Sequence, residues 1–141
     1  MSKELAEQAV KGLTDNRSAK TAGYCQKWVR QQIQKTYGSR FDKYMAESAT
    51  LTMEAFRDSP YFVEVDRDQL GGGSVPGDIL YKGTKTSGRF GHVGIRILGN
   101  KVAENSSSHV SGRGDARGTR SLQAFGKFEG IVRLPSPSEL K

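Results

Sequence analysis

Apolar positions along the chain follow two successive periods. In "SKELAEQAVKGL" (2–13), Leu5, Val10 and Leu13 recur at roughly helical spacing, and "TDNRSAKTAG" then interrupts the pattern. "YCQKWVRQQIQKTY" (24–37) aligns Cys25, Trp28, Val29, Gln32 and Ile33 in one stripe and ends at Gly38 and Ser39, which predicts an amphipathic helix. "DKYMAESATLTMEAFRD" (42–58) predicts a third helix with Tyr44, Met45, Leu51 and Phe56 turned inward. It stops before Pro60, which disfavours helical backbone at Ser59.

Beyond residue 60 the helical period disappears. "YFVEV" (61–65), "DILYK" (78–82), "HVGIRIL" (92–98), "KVAEN" (101–105) and "GIVRL" (130–134) are short, β-branched or aromatic runs separated by glycine-rich turns, and they read as strands. Gly99–Asn100, between two of them, predicts a tight hairpin. Helices followed by an antiparallel sheet give an α+β domain. At 141 residues the chain reads as one domain over 1–141, with a core at about 20–134, a loose tail at 135–141 and no separate binding domain.

Composition narrows the chemistry. The chain has one cysteine and two histidines, His92 and His109, so an internal disulfide and a two-cysteine zinc site are excluded and no metal is expected. No phosphate-cradling glycine motif is present, so no cofactor is expected. No apolar run is long enough to span a bilayer, and the charged N-terminus lacks the apolar core of a signal peptide. Synthesis in the cytoplasm without a signal peptide is therefore expected, as a monomer. The net charge of +7 is spread along the chain and favours an anionic partner without choosing between cell wall and nucleic acid.

Taken alone, Cys25 reads as a small buried hydrophobe. In the first turn of a helix, however, a thiol sees unpaired amides and the positive dipole end, which favour thiolate. Gly23 before it permits close approach of a substrate. A thiolate nucleophile needs a base, and the base needs an orienting group. His92 opens one strand of the Gly99–Asn100 hairpin and Glu104 closes the other, so antiparallel pairing brings them together, provided both face the helix. Glu104 and Asn105 point to opposite faces of a regular strand. Glu104 is preferred as the residue that orients His92, and a bulge would hand that role to Asn105. Asp78 reads as structural, the "RGD" at 113–115 as chance, and His109, Arg113, Arg117 and Arg120 as a solvated rim.

"GYCQKWV", "VPGDILYK" and "GHVGIRILGNKVAEN" together resemble the papain-like cell-wall peptidases of the NlpC and CHAP type. Those have a cysteine at a helix start, a P-G-D strand, a G-H-V strand and a third polar residue about a dozen positions on. The resemblance runs from about 20 to 134. It implies a papain-like fold and a peptidoglycan hydrolase, either a cysteine endopeptidase or an N-acetylmuramoyl-L-alanine amidase. Cys25 would be the nucleophile, His92 the base and Glu104 or Asn105 its orienting partner. Without a signal peptide, it further implies a phage endolysin acting on bacterial peptidoglycan after release, or an antibacterial toxin delivered to it. The competing reading is a non-enzymatic basic module that binds nucleic acid or anionic wall, with Trp28 and the tyrosines as stacking groups. Nucleic acid is not the expected partner, because Trp28 lies on the apolar stripe.

Overall fold

The computed structural model describes residues 2–14, 24–65, 73–83, 91–106 and 116–140. Helix α1 (Lys3–Gly12) starts at Ser2, whose hydroxyl accepts the Leu5 amide at 3.2 Å and so satisfies one of the free donors of the first turn. Helix α2 (Tyr24–Tyr37) crosses α1 closely at Gly12. A Cβ there would lie 2.3 Å from Gln32 Oε1, and the Trp28 indole N–H donates to the Gly12 carbonyl. Gln32, fully buried on the apolar stripe, is satisfied locally: it donates to Trp28 O and accepts from Gln8. Polar burial is tolerated where such partners exist.

Helix α3 (Ala49–Phe56) is shorter than the sequence pattern predicts. Ser48 caps it by accepting from Leu51 N, while Met45 is extended and only a 3-10 turn (Asp42–Tyr44) precedes it. The later start changes the inward face. Thr52, Met53 and Phe56 are buried, whereas Leu51 is exposed, as is Val10 on α1.

Six antiparallel strands form one sheet in the order β1-β6-β2-β3-β4-β5. They are β1 (Phe62–Glu64), β2 (Ile79–Lys82), β3 (His92–Ile97), β4 (Lys101–Ser106), β5 (Ala116–Ser121) and β6 (Gly130–Val132). β3 and β4 are joined through Leu98, Gly99 and Asn100, the last two at positive φ (81° and 55°), the tight hairpin that the Gly-Asn pair predicts. The α+β class and the antiparallel sheet stand as expected. β5 does not figure among the expected strands, because "ARGTRS" contains no large apolar residue.

Strand alternation sorts side chains onto two cores. Ile79, Tyr81, Val93, Ile95, Ile97, Ala103 and Val132 face the helices and pack with Leu5, Cys25, Trp28, Val29, Ile33 and Phe56. Leu80, Val102 and Ile131 face the other way, against Phe125 and Phe128, the former from a single-turn helix Leu122–Phe125. The stretch after Leu134, expected to be loose, instead packs back. Pro137–Leu140 form a 3-10 turn with Leu140 against the main core, and the Tyr37 hydroxyl binds both Ser2 Oγ and the Pro135 carbonyl. Burial raises that phenol to about 12, so it stays a neutral donor.

Candidate active site

Cys25 is the second residue of α2, in the first turn as the sequence pattern predicts, and its side chain is 4% exposed. Around it lies the row of the sheet formed by Tyr81 on β2 and Val93 on β3, which are cross-strand partners. The Tyr81 hydroxyl donates to Gln26 Oε1 at 3.2 Å. Burial raises the Tyr81 phenol well above its ordinary value, and a negative charge at Cys25 raises it further, so the phenol and the thiol are electrostatic neighbours.

His92 and Glu104 meet. Nε2 of His92 lies 2.5 Å from Oε1 of Glu104, whose side chain is completely buried. Burial by itself would push the Glu104 carboxyl up. Hydrogen bonds from His92 and Arg120 outweigh that and hold it down at about 2, so it is a carboxylate at any working pH. An ionised carboxylate only accepts, so Nε2 of His92 must carry the proton. In the neutral ring Nδ1 then holds the lone pair.

The face on which they meet differs from the expected one. Val93 and Ile95 of β3 point to the helices, which sends His92 and Gly94 to the opposite side. There the imidazole sits 5.6 Å from the Phe125 ring, and a Cβ on Gly94 would lie 3.2 Å from that ring. Glu104 alternates with the helix-facing Ala103 and joins His92 on the Phe125 side. The structure thus brings His92 and Glu104 together beside Phe125, while Cys25 belongs to the helix-side core.

Asn105 has the parity of Ala103 and lies on the helix side. It is 1% exposed, and among the described residues neither end of its amide has a hydrogen-bond partner. It does not touch His92 in the manner of an orienting residue; Glu104 has that contact.

Arg120, expected on a solvated rim, is instead part of this cluster. Its Nε donates to Glu104 Oε2 at 2.5 Å and its Nη2 to Oε1 at 2.9 Å. Lys82 approaches from β2, with Nζ bonded to the Phe125 carbonyl and 4.5 Å from the ring centroid. Desolvation lowers the Lys82 ammonium, Arg120 lowers it further, and Glu104 partly offsets both. No local sequence pattern marks Arg120. The available signal is indirect: a carboxylate inside a strand needs a cation on a neighbouring strand.

Asp78 is structural, as expected. Its carboxylate takes two hydrogen bonds from Arg133 and one from the Val75 amide, which pins the turn before β2. Trp28 is 1% exposed and bonded to Gly12, so it offers no face for base stacking. His109, Arg113, the "RGD" run and Gly23 lie outside the described residues. Among the described residues no group of three or more His, Cys, Asp or Glu side chains is placed to hold a metal ion. No helix among them is long and apolar enough to cross a membrane.

No family model matches the chain, and no curated protein does. Among solved structures, one described as the crystal structure of Ly7917 superposes with a TM-score of 0.54 at 11% identity. The match covers 94% of this chain and 62% of that one. At this identity the likeness is one of fold alone, and the chain spans less than two thirds of that structure's length.

Proposed function

We propose that this chain is a cysteine-dependent hydrolase of peptidoglycan amides with a papain-like arrangement of nucleophile and base. The observation that carries the reading is the 2.5 Å His92–Glu104 pair, in a chain whose helix α2 carries Cys25 in its first turn. The sequence resemblance supplies the substrate class.

In this reading a wall peptide binds across the N-terminal turn of α2 and the start of β3. Nδ1 of His92 takes the thiol proton, and Sγ attacks the scissile carbonyl carbon. The backbone amide of Cys25 stabilises the resulting oxyanion, a role typically worth roughly 3–4 kcal/mol. The C–N bond then breaks, His92 gives its proton to the leaving amine, and water hydrolyses the thioester. Glu104 holds the ring and stabilises the imidazolium throughout.

A second reading is favoured by one observation: Cys25 is nearly buried within the helix-side core. In that reading Cys25 is a core residue and the chain is a basic binding module for anionic wall. Turbidity loss of purified bacterial walls, with the products mass-mapped, decides between them. Wild type should release muropeptides with one new amine end per cut, and Cys25→Ser should release none. Equal release by both proteins would end the hydrolase reading.

A further inference from the structure

The hydrolase reading uses Cys25, His92 and Glu104, and it leaves unexplained why a fully buried carboxylate is held from two sides. We propose that Arg120 is a positioning residue that clamps both oxygens of Glu104, aims Oε1 at Nε2 of His92, and leaves Nδ1 as the basic face of the ring.

The sequence makes the clamp possible through register. Glu104 lies directly across from Gly118 on β5, and Arg120 lies across from Val102. Glu104 and Arg120 are therefore diagonal neighbours on one face, and the position opposite Glu104 has no side chain to fill it. The guanidinium folds back into that space and meets the carboxylate with two different nitrogens at 2.5 and 2.9 Å. A planar two-pronged donor fixes the plane of a carboxylate in a way an ammonium does not. Phe125 backs the arrangement: its ring centroid is 5.4 Å from Arg120 Cζ and 5.6 Å from the imidazole centroid, so one side chain buttresses clamp and base together.

The clamp also has an electrostatic effect. Facing this cluster among the described residues are Lys82 from β2, Glu104 from β4 and Arg120 from β5, around His92 itself. Arg120 supplies a positive charge against the buried Glu104 carboxylate, so the carboxylate stays ionised and accepts from Nε2 of His92. The inference rests on the hydrolase reading for its catalytic meaning. Its physical content is a statement about His92 alone.

The test is the long-range nitrogen–proton NMR spectrum of the imidazoles through a pH titration, with the two histidines assigned against His109→Gln. Wild-type His92 should show the Nε2–H tautomer. Arg120→Gln and Arg120→Lys should both mix the two tautomers, because neither side chain fixes the carboxylate plane with two prongs. On walls, both variants should lower kcat at little-changed KM. A wild-type Nδ1–H tautomer would overturn the proposal, as would a folded Arg120→Gln protein with an unmixed Nε2–H spectrum. Should Arg120→Gln fail to fold, Arg120→Lys decides, and an unmixed wild-type spectrum in that variant would count against the clamp. Should the wild type clear no walls, the hydrolase reading falls while the spectrum still settles what Arg120 does.

Discussion

The two sides of the sheet at its Cys25 end are built in opposite ways. On the helix side, Cys25, Tyr81 and Val93 belong to the apolar core, and the buried Asn105 amide has no hydrogen-bond partner among the described residues. On the other side, His92, Glu104, Arg120 and Lys82 form a charged cluster around Phe125, with both carboxylate oxygens occupied. One side holds the candidate nucleophile nearly buried among apolar side chains. The other holds the candidate base with its orienting carboxylate already in place. The difference teaches that the orientation of the imidazole is built into the fold, whatever the thiol does.

Removing either half should break the comparison most severely. Cys25→Ala and His92→Ala are each expected to lower wall hydrolysis by at least a hundredfold while the far-ultraviolet circular dichroism spectrum stays native. A variant clearing walls at the wild-type rate would mean that half is not catalytic.

Glu104→Gln should come next, because it leaves the Arg120 guanidinium facing a neutral amide in a buried site. Breaking a buried pair from one side costs about 3 kcal/mol or more, readable as a shift of the urea midpoint. Stability in acid gives the same group a second signature. The folded carboxyl titrates at about 2, below its ordinary value of 4.5, so its stabilisation is complete above pH 4.5 and is lost as pH falls towards 2. Wild type should therefore lose a few kcal/mol over that window, and Glu104→Gln should show a flatter curve. Parallel curves would mean the carboxylate carries no such linkage.

The smallest expected effect is on the helix side. Asn105→Leu replaces a buried amide that has no partner among the described residues by an apolar group of similar size, so stability should be unchanged or rise by about 1 kcal/mol. If Asn105 meets substrate, the same variant will lose activity without losing stability. Destabilisation by several kcal/mol would show that the amide has a partner in solution.

How much of this could be read from the chain alone varies by element. Helix α2 was legible to the residue, because the stripe from Cys25 to Ile33 and the stop at Gly38 are local signals. Helix α3 was overextended, since Tyr44 and Met45 are apolar enough to continue the period while Ser48 starts the helix. β5 was illegible: a strand of arginine, glycine, threonine and serine is specified by pairing with β4, and composition does not reveal it. The Glu104 contact with His92 was legible because a hairpin returns on itself and parity excludes Asn105. The face it occupies was not, since alternation gives relative positions and only the packed helices say which side is which. Arg120 was illegible for the same reason as β5.

Tyr37 carries a consequence of a different kind. One phenol bridges the cap of α1 at Ser2 and the carbonyl of Pro135, so the first helix and the segment after β6 are tied together through α2. Tyr37→Phe should therefore loosen both segments at once, readable as faster amide exchange in α1 and around Pro135.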